Sequence, residues 1–223
     1  SIPDPHTPDY ARPPYHDMYK NLKPEMPFTM KPEYASQRPS WGKGSEKDKN
    51  EAKTFDTKAL KQYFGMVKHI DDSVGRILKF LEDNGLLDNT IVVFTSDHGD
   101  MFFEHKRRNK GVPYEASSRI PFVIRYPGKI KAGKVINKAY VTTDFAPTIL
   151  SLMGIKTDVK FHGKDTSADF TNKDKIVNGN RIVHFAQCEG WWAAATDGRY
   201  KLVIDKKESP WLIDMKEDPF ELK

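Results

Sequence analysis

An apolar, β-branched run, Thr90-Ile-Val-Val-Phe-Thr95, stops abruptly at Ser96, Asp97, His98 and a glycine. A buried parallel strand delivers polar side chains in this way to the carboxyl edge of an α/β sheet, where the ligands of that architecture collect. Upstream, Leu60, Phe64, Val67, Ile70, Val74, Ile77, Leu78 and Leu81 recur at spacings of three and four. This is one apolar stripe, expected to face a core. Asn84-Gly85 supplies a left-handed stop, so helix and strand form one α-to-β step. Ile120 to Tyr126 reads as a second buried strand, closed by Pro127-Gly128. Asp144 is placed to cap a helix running to Met153 and ended by Gly154. The alternation predicts an α/β fold, an open and mostly parallel sheet flanked by helices.

Two regions break the pattern. Residues 1–52 carry Pro13, Pro14, Pro24, Pro27, Pro32 and Pro39, which block long regular elements. They predict an extended segment wrapping the surface, with the charged run at 44–53 as a solvated loop leading into the helix. From about residue 178 the runs 181–185, 192–196, 199–204 and 211–214 are short and strand-like, with Asp197-Gly198 as a hairpin turn. The expected division is therefore 1–177 as α/β core and 178–223 as a small antiparallel subdomain, cut off at its end.

Composition excludes little. No run approaches the roughly 18 apolar residues of a membrane span, and no basic-then-apolar leader is visible. The single cysteine, Cys188, cannot form an internal disulfide and reads as an inert thiol. The formal charge of +5 is spread along the 223 residues and favours an anionic substrate slightly. Lys106-Arg107-Arg108 reads as a solvated basic loop; without interleaved aromatics it does not point to nucleic acid. Trp191-Trp192 suits either a sugar platform or a packed edge.

Three features line up as chemistry. Asp97 and His98 at a strand end can grip one cation if other ligands join them. Lys110 follows in a polar loop, and His6 sits between prolines in Pro3-Asp-Pro-His-Thr-Pro8. Together, a cation, a lysine and a histidine suit a tetrahedral oxyanion ester: the metal and lysine neutralise non-bridging oxygens, and the histidine protonates the leaving oxygen or holds the anion. Each alone has an ordinary reading, Asp97 as a turn residue and His6 and Lys110 as solvated surface.

The sequence resembles the sulfatases of the alkaline-phosphatase-like superfamily. The likeness is carried by 70–77, by 88–99 ending in Thr-Ser-Asp-His-Gly, by His105, and by Lys110-Gly-Val-Pro-Tyr-Glu115. It continues in Arg119-Ile-Pro121, Tyr126-Pro-Gly128, Asp144-Phe-Ala-Pro-Thr-Ile-Leu150, Asp197-Gly-Arg-Tyr-Lys201 and 212–219. The resemblance implies that Asp97 and His98 ligate a divalent cation, usually Ca²⁺, that Lys110 contacts sulfate oxygens and that His6 assists the leaving group. His105 is expected to line the substrate side.

One departure matters. Sulfatases use a formylglycine made within a Cys/Ser-x-Pro-x-Arg motif, which this chain lacks; Cys188 lies in Gln-Cys-Glu-Gly-Trp. Asp71-Asp72, mid-helix, does not replace the family's earlier metal ligands. The chain therefore looks like the carboxyl-terminal portion of a sulfatase, with the nucleophile upstream and the missing amino-terminal half as its partner. The substrate implied is a sulfated sugar or similar sulfate ester. The alternatives are a phosphomonoesterase or phosphodiesterase of the same superfamily, or a non-catalytic relative that binds sulfated glycans. Family members are typically secreted, periplasmic or lysosomal.

Overall fold

The computed structural model describes residues 1–34, 39, 41–42, 54–187 and 190–222. The loop expected at 44–53 and the thiol of Cys188 lie outside the described residues. Among the described residues no helix is long and apolar enough to cross a membrane.

Helix α1, Thr57–Asp83, starts where the Asp56 carboxylate accepts from the backbone N–H groups of Lys58 and Ala59 at 2.9 and 3.0 Å. It stops where Gly85 takes φ 65°, a conformation that costs glycine little. The face that α1 buries is not the expected one. Its buried residues are Ala59, Gln62, Gly65 and Met66, whereas Val67 and Ile77 in the apolar stripe are 42% and 53% exposed.

The reason is the amino-terminal segment, which lies along the other face. Gln62 accepts from Ala11 N and donates to His16 O, both at 3.0 Å. A Cβ on Gly65 would stand 2.7 Å from both Ala11 Cβ and Tyr15 O. Glycine inside a helix costs about 1 kcal/mol relative to alanine; here it admits the segment to the helix backbone. His69 Nδ1 donates to Asp4 at 2.7 Å and Tyr15 donates to Asp72 at 2.9 Å. The expected surface-wrapping segment is thus tied to α1 at several points.

Strand β1, Val92–Thr95, pairs with β2, Phe122–Arg125, and Val92 stands opposite Arg125. The pairing is antiparallel, and Phe94, Phe122 and Val123 are exposed. Both points correct the expectation of buried parallel strands here. The connection, 96–121, carries a 3-10 turn at Glu104–Lys106 and the four-residue helix α2, Glu115–Ser118, and no long helix of the kind that usually carries a parallel crossover. The parallel pair is β3, Val135–Asn137, with β4, Ile176–Asn178. The fold class remains mixed α/β.

Helix α3, Phe145–Leu152, is followed by Gly154 at φ 73°, as expected, and packs on α4, Ser167–Thr171. Asp144 does not cap α3 with its side chain. Its 3% exposed carboxylate takes two bonds from Arg181, at 2.6 and 2.8 Å, and the N–H groups of Val141 and Lys164. Burial pushes this carboxyl up, but the Arg181 guanidinium and the two backbone donors outweigh it and hold it below the usual range. A carboxyl depressed by folding stabilises the protein above its unfolded value, and that contribution is lost as pH falls through about 4 and below. Asp144→Asn is expected to cost ~1–3 kcal/mol at neutral pH. Urea denaturation at stepped pH should show the variant's deficit shrinking toward acid pH; a pH-independent deficit would count against this account.

The last four strands, Val183–Ala186 (β5), Trp192–Thr196 (β6), Tyr200–Asp205 (β7) and Trp211–Asp214 (β8), form one antiparallel sheet in sequence order. Gly198 takes φ 96° in the expected turn, and Asp197 accepts there from the N–H groups of Arg199 and Tyr200. Trp192, Ala194 and Val203 form the sheet's core. Trp41 and Trp211 join it to a second cluster of Met101, Val112 and Tyr114, under the loop that follows β1.

Candidate active site

Asp97 and His98 project from the turn that ends β1. Gly99 lets this turn approach α2: its N–H donates to Ser117 O at 2.8 Å, and a Cβ there would lie 2.1 Å from Ala116 O. The His98 ring donates from Nδ1 to Gly99 O at 2.7 Å, which places its proton on that nitrogen. Nε2 is then the bare nitrogen, 3.5 Å from Asp97 Oδ2. The other Asp97 oxygen accepts from His98 N at 2.9 Å. Partial desolvation raises the Asp97 carboxyl, but the bonds it accepts from the His98 N–H and the Ser96 hydroxyl outweigh it, so Asp97 lies below the usual carboxylate range.

An ionised oxygen and an unprotonated imidazole nitrogen at this spacing suit one cation at about 2–2.6 Å from each. The pair fits part of a cation's ligand set. Among the described residues no group of three or more His, Cys, Asp and Glu could hold a metal.

The loop from Asp100 to Gly111 carries Lys110. Asp100 accepts from the N–H groups of Phe102 and Asn109, while Met101 N donates to Asn109 O and Phe103 N to Arg107 O, both at 2.7 Å. Phe102, Phe103, His105, Lys106 and Asn109 all have positive φ. Such residues cost about 1–3 kcal/mol each and persist only where the surroundings over-determine them. Here the cross-loop bonds and the burial of Phe103, His105 and Arg107 do so.

His105, expected on the substrate side, is held within this loop. It is 3% exposed, stacked on Tyr114 at 3.8 Å, with its N–H donated to Thr29 Oγ1. The basic triplet is not a solvated loop either. Arg107 is buried and Arg108 is ion-paired with Asp9, because the amino-terminal segment lies against this loop.

That contact brings Lys110 and His6 together, 104 residues apart. Lys110 Nζ lies 3.5 Å from His6 Nε2. The His6 ring donates from Nδ1 to Thr7 O at 2.9 Å, so Nε2 presents its lone pair to the ammonium. Gly111 N donates to Ser117 Oγ at 3.2 Å. Buried Ser117 therefore anchors both halves of the site, its carbonyl holding Gly99 and its hydroxyl holding Gly111. Sequence reasoning missed Ser117, since a serine in a short polar run has no distinguishing signal.

Trp192 Nε1 donates to Gly111 O at 3.0 Å, so this indole pins the Lys110 loop, while Trp191 stays exposed. Below lies Lys201, with no exposed surface. Its ammonium donates to Pro113 O and Glu115 at 2.9 and 2.8 Å and lies 2.6 Å from Glu221. Glu221 in turn accepts from Glu115 N at 2.7 Å. Burial pushes the Glu221 carboxyl up, against the pull of Lys201. The sequence placed Glu115 and Lys201 in matched motifs, but gave no sign that they meet.

Residues 2–155 match the family described as Sulfatase. The chain belongs to the sulfatase family. Residues 103–223 of this sulfatase-family chain also match the family described as N-sulphoglucosamine sulphohydrolase, C-terminal. It is 34% identical over 93% of its length to an arylsulfatase of Clostridium perfringens. It is 33% identical over 72% of its length to an N-acetylglucosamine-6-O-sulfatase of Bacteroides thetaiotaomicron. A protein solved in complex with its substrate D-glucosamine-2-N,6-O-disulfate superposes on 98% of the chain and 58% of its own, with a TM-score of 0.78 and 23% identity. That likeness gives the sulfatase-family chain the alkaline-phosphatase-like fold. The chain spans 44% and 29% of the two curated relatives.

Proposed function

We propose that this chain is the carboxyl-terminal portion of a sulfuric ester hydrolase acting on a sulfated sugar. The observation that carries the reading is the contact of Lys110 with His6, on a frame shared with Asp97 and His98. The coverage of the two curated relatives and the sugar sulfates named for two of the similar proteins support it. Exposed Phe94 and Val123, paired across one face of β1–β2, give an amino-terminal half an apolar surface to pack on. The formylglycine nucleophile and the remaining metal ligands belong to that half.

In this reading the Lys110 ammonium sits against the non-bridging oxygens of the sulfate and offsets their charge, more so as negative charge grows in the transition state. His6 Nε2 takes up a proton from solvent as substrate binds and gives it to the departing sugar oxygen as the S–O bond breaks. Its bond to Thr7 O keeps Nε2 directed at the reacting group. Asp97 and His98 would hold a divalent cation, Ca²⁺ foremost, which when bound adds positive charge beside the same oxygens. His105 supports the loop from below rather than touching substrate.

The test is turnover by the full-length protein that contains this chain, on sulfated glucosamines and on aryl sulfate and phosphate esters of matched leaving group. Sulfate-ester hydrolysis abolished by chelation and restored by Ca²⁺ is expected. Preference for phosphate, or glycan binding without hydrolysis, would overturn the reading. Robust hydrolysis by the 223-residue chain alone would overturn the placement of the nucleophile.

A further inference from the structure

We propose that the Asp9–Arg108 ion pair is a positioning device that sets His6 against Lys110 for turnover. The proposal rests on the sulfatase reading of that pair. Asp9 follows His6 by three residues, and Arg108 precedes Lys110 by two. The pair therefore joins the same two segments, right beside the reacting groups. Between His6 and Asp9 the chain is stiffened by Pro8, and Tyr10 N closes a turn onto Pro8 O at 2.8 Å. Fixing Asp9 thus fixes the reach of the exposed His6 ring.

The pair has the surroundings such a role needs. The side chains of Asp9 and Arg108 are 12% and 27% exposed, so solvent screens them less than a surface pair. The guanidinium lies 5.3 and 5.4 Å from the ring centroids of Phe102 and Phe103, which meet edge-on. A planar cation held by two rings has a defined direction, which a lysine ammonium would lack.

A purely structural tie would be redundant here. Asp4 already holds His69 and Ala11 already holds Gln62, so the segment is fastened to α1 on both sides of Asp9. Asp9–Arg108 adds the register of that segment against the Lys110 loop.

The experiment uses the full-length protein with Asp9→Asn, Arg108→Lys and the reciprocal Asp9→Arg/Arg108→Asp. A displacement of about 1 Å at a reacting group costs on the order of 100-fold. For each single variant kcat should fall by ~10–100-fold with KM within about threefold and Tm nearly unchanged. The reciprocal variant should regain part of the kcat. Unchanged kcat, or a rise in KM alone, would overturn the proposal. Should Asp9→Asn fold poorly, Arg108→Lys, which keeps the charge, decides by the same kcat criterion. If the wild-type protein turns over no sulfate ester, the sulfatase reading fails by itself. The crystal structure of Asp9→Asn then decides: His6 swung away from Lys110 supports the positioning role, and a kept 3.5 Å contact overturns it.

Discussion

Lys201→Met is expected to destabilise the protein by about 3–5 kcal/mol, the cost of breaking a buried ion pair from one side. Lys201 has no exposed surface, and the variant would leave Glu221 and much of Glu115 in a low-dielectric pocket without their cation. It would also leave Pro113 O without its donor. The methionine fills most of the volume, so the loss reads the charges rather than a cavity. Burial already raises the Glu221 carboxyl, and removing the ammonium that pulls it down raises it further. A carboxyl raised by folding stabilises the protein below its unfolded value, and that contribution is lost as pH rises through its folded value. The deficit should therefore be largest at neutral pH and should shrink as pH falls through the raised folded value, where Glu221 takes a proton. Adding Glu221→Gln should recover part of it. Urea denaturation of the variants at two pH values measures this; a deficit under ~1 kcal/mol would show that the triad does not hold the site's underside.

Lys110→Ala in the full-length protein is expected to lower kcat for sulfate esters by about 10²–10³-fold, the usual effect of removing one donor from a developing oxyanion. Removing the ammonium also takes away the charge that faces His6 Nε2 at 3.5 Å. The effects of Lys110→Ala and His6→Ala should therefore not add, because each changes the other's surroundings. Steady-state kinetics of the two single variants and the double variant reads the coupling. A kcat within threefold of wild type for Lys110→Ala, or strict additivity, would remove the pair from the chemistry.

Much of the local architecture is legible in the sequence. The stripe ending at Asn84-Gly85, the run to Thr95, Gly154 and Asp197-Gly198 each carried a local signal of turn, cap or period. The structure has an element or turn at each of these places. The errors came where burial depends on what packs from elsewhere. The stripe of α1 stays partly exposed because the amino-terminal segment takes the opposite face. Asp144 reads as a cap but serves Arg181, 37 residues away. The triplet at 106–108 reads as solvent-facing but is half buried against Asp9. A window of local sequence holds no information about those partners.

The same division runs through the site. Sequence alone determined the chemical types available: an Asp-His pair at a strand end, a lysine in the following loop and a histidine among prolines. Those follow from side-chain chemistry and chain-local pattern, and they carried the family likeness. Only tertiary structure decided that Lys110 meets His6, that Ser117 holds both arms of the site, and that Lys201 supports the loop from beneath. These are contacts between segments up to 104 residues apart. They are set by a glycine's close approach, an ion pair and an indole hydrogen bond, each of which takes its meaning from the residue across the gap.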